Sequence, residues 1–142
     1  MPEQQAGEEL FMVLTHLYQE MSRAFSSRVG MSYSRLLILH ELMHAGELSQ
    51  TELAQRLEME GALITRFAKQ MEAAGLISRR VDPKDNRFTL VTLAPAGQQL
   101  LKRAESLGDE FSVRLLEGVS EQEQADLIRM MKRMQANLSP WQ

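Results

Sequence analysis

The chain has no cysteine among its 142 residues. Disulfides, thiolate metal sites and cysteine redox switches are therefore excluded, and a reducing, cytoplasmic setting is expected. No apolar run approaches the ~20 residues that a membrane-spanning helix needs, so no membrane partner is expected. The first ten residues, MPEQQAGEEL, are acidic, unlike a signal or transit peptide. Internal repeats, low-complexity tracts and linkers are missing. So are a nucleophile–base pair and a phosphate-binding loop, and neither an enzyme nor a resident cofactor is expected.

What is present is ordinary in bulk and uneven in distribution. A chain of this length reads as one domain able to bury a core, with 44% apolar and 25% charged residues. The net charge is −3. Between Ala62 and Thr92, however, stand six basic residues (Arg66, Lys69, Arg79, Arg80, Lys84, Arg87) against three acidic ones (Glu72, Asp82, Asp85). The remainder holds ten basic and sixteen acidic residues. That segregation points to an anion-facing patch on an acidic body.

Periodicity predicts a first helix over about 8–28, with Leu10, Leu14, Leu17, Met21 and Phe25 on one stripe. A second, over about 33–44, is capped by Ser32 and apolar nearly all round, as a central core helix should be. Ser49 and Glu52 form a capping box for a third helix over about 50–57, with Leu48 and Leu53 as its hydrophobic staple. A fourth follows over about 61–74. On a helical wheel Ile64, Phe67, Ala68 and Met71 share one face, while Ala62, Thr65, Arg66, Lys69 and Gln70 share the other. Gly75 is placed to end it. Two β-prone runs, 76–81 and 88–93, flank Asp82-Pro83, a turn signal, and so predict a hairpin with a charged tip. A fifth helix is expected from Pro95 to about Glu117. A sixth, over about 121–138, opens with the capping box Ser120–Glu123, and a short loose tail follows.

The segment Leu48–Gly97, LSQTELAQRLEMEGALITRFAKQMEAAGLISRRVDPKDNRFTLVTLAPAG, resembles the MarR family of winged helix-turn-helix transcription factors. The likeness is carried by Leu53-Ala54, Arg66, Gly75-Leu76-Ile77, Arg79-Arg80, Asp82-Pro83, Asp85, Arg87, Leu93 and Gly97. The flanking helices match in length and pattern. Departures are Ala94, where the family often has threonine, and Gly61-Ala62-Leu63, where small polar residues are usual. Glu58 and Glu60 add two acids near the expected DNA surface.

The expected fold is therefore mainly α with a small β-hairpin wing: a winged helix-turn-helix whose N- and C-terminal helices form a dimerisation region. Residues 1–142 form a single domain, with 32–97 the DNA-binding unit and 8–28 and 95–138 the dimerisation helices. Arg87 at the wing tip is suited to a narrow minor groove, with Asp85 orienting its guanidinium by a bidentate pair. Ala62, Thr65, Arg66, Lys69 and Gln70 face the major groove, where their alternative is a solvated helix face. Arg79, Arg80 and Lys84 are candidates for backbone contacts or long-range field, and strand alternation turns one of the two arginines away from DNA. Ser49 is a candidate phosphate contact, although its cap role explains it equally well.

The resemblance further implies a homodimer on double-stranded DNA, acting as a repressor that a small aromatic or phenolic effector releases. Met12, His16, Met31, His40, Met43 and His44 are the candidate effector-pocket residues, with core packing as the simpler reading of the methionines. His40 and His44, four apart, have a spacing that can hold a metal, but the ligand set is thin and no metal is expected. A metal-responsive regulator and a winged-helix protein–protein module are the alternative readings.

Overall fold

The structure is a computed structural model and describes residues 1–141. The chain runs α1 (Pro2–Val29), α2 (Tyr33–Ala45), β1 (Leu48–Ser49), α3 (Gln50–Leu57), α4 (Gly61–Ala73), β2 (Ile77–Val81), β3 (Thr89–Leu93), α5 (Pro95–Leu115) and α6 (Glu121–Leu138), ending in a 3-10 turn, Ser139–Trp141. Two compact units divide it at Leu107 and Gly108.

The first unit contains the helix-turn-helix and the sheet. Its core gathers Leu36, Ile38, Leu39 and Leu42 from α2, Leu53 from α3, Ile64, Phe67, Ala68 and Met71 from α4, and Ile77 and Val91 from the strands. Val29 of α1, Leu48 of β1 and Leu101 and Ala104 of α5 complete it. Burial of side chains of this size, each contributing about 1.5–3 kcal/mol, is what holds the helices to the sheet. Ser32 caps α2, its Oγ accepting from the Arg35 N–H at 3.4 Å. Both bonds of the α3 capping box are formed: the Glu52 N–H donates to Ser49 Oγ at 3.0 Å, and the Ser49 N–H donates to Glu52 Oε1 at 3.4 Å. Leu48 and Leu53 are both buried, as a staple requires.

The sheet departs from the expected two-stranded hairpin. Leu48 and Ser49 pair antiparallel with Val91 and Leu90, giving three strands in the order β1-β3-β2. A two-residue strand shows no alternation, so periodicity does not reveal it. The register of β2 on β3, Ile77 opposite Leu93 to Val81 opposite Thr89, buries Ile77 and Val91 and leaves the distal end in solvent. Helix α1 also begins earlier than expected, at Pro2 rather than near Glu8. Proline is preset for the first turn, and the Glu, Gln and Ala residues after it favour helix without an apolar stripe. The tail, expected to be loose, forms a 3-10 turn as far as Trp141.

Helix α4 ends where Gly75 adopts φ 76°, left-handed geometry that glycine takes without strain. The Leu76 N–H donates to the Met71 carbonyl at 2.9 Å and the Gly75 N–H to the Glu72 carbonyl at 3.0 Å, a Schellman ending that turns the chain into β2. Gly97 has a different reason. A Cβ there would overlap the Leu76 carbonyl oxygen and crowd the Leu93 side chain, so only glycine lets α5 start this close to the sheet.

The second unit, Gly108–Trp141 among the described residues, holds the end of α5 and all of α6. Both bonds of the Ser120–Glu123 capping box are present, and α6 spans the expected residues.

Candidate nucleic-acid interface

Helix α4 presents two faces. Ile64, Phe67, Ala68 and Met71 are buried, whereas Ala62, Arg66, Lys69 and Gln70 are exposed and Thr65 is half-buried at the border. A buried stripe on α3 and the sheet, with a polar stripe left free, is the arrangement that a groove-reading helix needs. No ion pair among the described residues engages Arg66, Lys69 or Lys84. Arg66 lies 5.5 Å from the Phe67 ring centroid, which steadies its stem and leaves its donors free.

The wing tip is built by short-range hydrogen bonds. Asp82-Pro83-Lys84-Asp85 closes a β-turn through the Asp85 N–H to the Asp82 carbonyl, 3.2 Å, and Asp82 Oδ1 accepts from the Lys84 N–H at 2.9 Å. Asp85 then grips Arg87 at three points. Its Oδ1 accepts from the Arg87 backbone N–H at 3.1 Å and from Nε at 3.0 Å, and its Oδ2 accepts from Nη2 at 2.7 Å. These bonds hold the Asp85 carboxyl below its usual range and raise the Arg87 guanidinium further. The Arg87 side chain is still 80% exposed, so the pair aims a charge at solvent without burying it.

Arg79 and Arg80 take opposite faces, as strand alternation requires. Arg80 donates Nε and Nη2 to Glu47 at 3.1 and 2.8 Å and is exposed. Its guanidinium lowers the Glu47 carboxyl pKa. Arg79 turns inward: Nη2 donates to Glu72 Oε1 at 3.1 Å, its backbone N–H to Glu72 Oε2 at 3.1 Å, and Nη1 to Gln50 Oε1 at 3.3 Å. Those bonds likewise lower the Glu72 pKa. Gln50 Nε2 in turn donates to Thr65 Oγ1 at 3.0 Å. A continuous set of bonds thus ties β2 to the C-terminal end of α4, to the start of α3 and to the middle of α4. On the other flank Arg35 of α2 donates Nε and Nη2 to Gln70 Oε1 at 3.1 and 2.6 Å, with its guanidinium 4.5 Å from the Phe67 centroid.

Arg35, Gln50, Glu47 and Glu72 were not singled out from the sequence. Their partners lie 7 to 35 residues away, and no local pattern marks them. Ser49 is 5% exposed, with its hydroxyl engaged in the α3 cap.

The six candidate effector residues occupy varied settings. Met12 and His16 stand exposed on α1, and Met31 packs on the core. His40, Met43 and His44 are exposed on α2. His40 and His44 meet Nε2 to Nε2 at 3.1 Å, and among the described residues no group of three metal-capable side chains occurs. An open groove on α1 is lined by Gln4, Gly7, Glu8, Phe11 and Met12, and so includes one of the six. Among the described residues no helix is long and apolar enough to cross a membrane.

A cationic outward helix on a helix-turn-helix, followed by a wing with an arginine held at its tip, defines a winged-helix DNA-binding protein. Residues 31–89 match the MarR family. The chain is 37% identical over 115 residues to the uncharacterised HTH-type transcriptional regulator YdgJ of Bacillus subtilis, covering 81% of this chain and 70% of that protein. A MarR variant from E. coli solved with operator DNA has the same fold, with TM-score 0.81 and 19% identity over 89% of this chain and 93% of that one. The organohalide-sensing regulator RdhR-CbdbA1625, in its 2,4-dichlorophenol-bound form, gives TM-score 0.89 and 20% identity over 96% and 83%. The chain belongs to the MarR family of DNA-binding transcriptional regulators, as the residues of Leu48–Gly97 had implied.

Proposed function

We propose that the protein is a homodimeric, sequence-specific repressor that places α4 in a major groove and the wing in the flanking minor groove of each half-site. It has no enzymatic role in this reading. The observation that carries it is the pairing of an ion-pair-free α4 face, Arg66 and Lys69, with the Asp85-held Arg87 at the wing tip. Lys84 and Arg80 border the same wing and supply charge to the backbone contacts. Two-fold symmetry would make the operator pseudo-palindromic, with half-sites about one helical turn, ~10 bp, apart.

Dimerisation is supported by apolar side chains that the single chain leaves in solvent. On α1 these include Leu10, Phe11, Val13, Leu17 and Tyr18, and on α6 Leu127, Ile128, Met130 and Leu138. Apolar stripes of this extent on two terminal helices mark an interface. A small aromatic or phenolic effector, as bound by RdhR-CbdbA1625, would release the DNA by favouring a dimer with its α4 helices wrongly spaced. Met12, His16, Met31, His40, Met43 and His44 are the residues to test for that effector.

The DNA-binding assignment is tested by gel shift on a duplex selected from a random pool. Arg87→Ala is expected to weaken binding by about ten-fold, the loss of a charge-assisted contact of ~1.4 kcal/mol. Undiminished affinity would remove the wing from the interface.

A further inference from the structure

The hydrogen bonds flanking α4 have a consequence for which bases it reads. Three groups on or beside its outward face can accept hydrogen bonds: Thr65 Oγ1, Gln70 Oε1 and the Glu72 carboxylate. Each is engaged within the protein. Gln70 Oε1 accepts twice, from Arg35 Nε at 3.1 Å and Nη2 at 2.6 Å, which uses both lone pairs. Because arginine only donates, the amide orientation is settled: Oε1 is held inward and Nε2 remains free. Thr65 Oγ1 donates to the Gly61 carbonyl at 3.0 Å and accepts from Gln50 Nε2 at 3.0 Å, which uses its proton and one of its two lone pairs and holds the hydroxyl toward α3. Both Glu72 oxygens are taken by Arg79, at 3.1 Å each. What remains on the face is Arg66 and Lys69, which are donors only, the Gln70 amide nitrogen, and the methyl groups of Thr65 and Ala62. Glu58 and Glu60 are exposed and precede the helix, Glu60 as its N-cap with extended backbone, so neither belongs to the outward face formed by Ala62, Thr65, Arg66, Lys69 and Gln70.

We infer that α4 reads chiefly the acceptor atoms and thymine methyl groups of the major groove, and that Gln70 does not read the exocyclic amino group of adenine, because Arg35 consumes its one acceptor atom. Arg35 is the positioning residue for this selectivity. It keeps Gln70 from making the two-bond pairing with adenine N6 and N7 that a free glutamine favours. The remaining donors suit guanine O6 and N7, thymine O4 and adenine N7, and the methyl groups suit the thymine C5 methyl. This inference rests on the DNA-binding reading above and gives it a chemical code.

The test has two arms. In the first, duplexes are selected from a random pool with the wild-type protein and with Arg35→Leu. Freeing Gln70 Oε1 is expected to enrich adenine at one position of each half-site in the variant consensus, a change that a general loss of stability or charge would not produce. In the second, wild-type protein is titrated against its own selected duplex carrying single base analogues at helix-facing positions. Replacing guanine by 7-deazaguanine, or thymine by uracil, is expected to weaken binding at contacted positions by about five-fold, the loss of one contact of ~1 kcal/mol. Replacing an adenine that faces Gln70 by nebularine, which lacks the N6 amino group, is expected to leave affinity unchanged. A five-fold loss with nebularine would overturn the inference, as would an unaltered consensus from a folded, dimeric Arg35→Leu protein. Should that variant not fold, the analogue arm decides alone. If the wild-type protein selects no duplex at all, the DNA-binding reading falls, and the inference with it.

Discussion

At the scale of single residues, much of the architecture rests on side chains whose role is to be small or to be held. Gly97 is the clearest case. Any Cβ at that position would meet the Leu76 carbonyl oxygen, and the bond from the Ala94 N–H to that same oxygen, 3.0 Å, anchors the start of α5. Gly97→Ala is expected to lower stability by about 1–3 kcal/mol, the usual range for overpacking against backbone, measured as a shift in the urea midpoint. An unchanged midpoint would mean that α5 can shift away at no expense. Arg87 shows the opposite design, an exposed side chain whose stability role is slight and whose direction is set by Asp85. Asp85 and Arg87 were readable as a pair from the spacing Asp-Asn-Arg after a turn signal. Arg35 and Gln50 were not, because their partners are 35 and 15 residues away and only the folded chain brings them together.

At the scale of elements, local chemistry explains which boundaries the sequence reveals. Helices α3 and α6 begin where expected because both open with a Ser-x-x-Glu capping box, a signal confined to four residues. The buried and exposed faces of α4 also follow from the 100° wheel. Strand β1 and the start of α1 escaped that logic, the one being too short for alternation and the other having propensity without a stripe. The wing and its anchors on α4 and before β1 carry a pH dependence of known sign. Glu47, Glu72 and Asp85 have pKa values lowered from 4.5, 4.5 and 3.8 by their arginine partners. Each therefore stabilises the folded state fully above its ordinary value, and that contribution is lost as pH falls through the lowered one. Melting temperatures of the wild type and of Arg80→Gln, measured from pH 7 down to about pH 3, should stay parallel until about pH 4.5 and converge below it. Curves that converge between pH 6 and 8 would rule out these pairs as the cause.

At the scale of the whole molecule, the proposed dimer would use the two terminal apolar stripes to set the distance between two reading helices. The α1 stripe is tested directly by Leu14→Glu combined with Leu17→Glu. Those side chains are 36% and 42% exposed, so charge there should leave the core of the first unit intact and disrupt only an assembly. Light scattering is expected to give a monomeric mass for the variant and a dimeric mass for the wild type. A dimeric variant would place the interface elsewhere. Fold class and family were legible in the sequence because amphipathic periodicity and the wing motif are local. Met12, Met31 and His40 share no local pattern along the chain, so the sequence carries no comparable signal for a pocket.

The central claim is that the α4 face and the wing meet DNA phosphates and base edges directly. Its most direct test is the salt dependence of affinity for the selected duplex, measured by fluorescence anisotropy for the wild type and for Arg66→Ala with Lys69→Ala. Removing two cations from the groove-facing helix should weaken binding and make the slope of log affinity against log salt shallower. An unchanged slope and affinity would contradict the account.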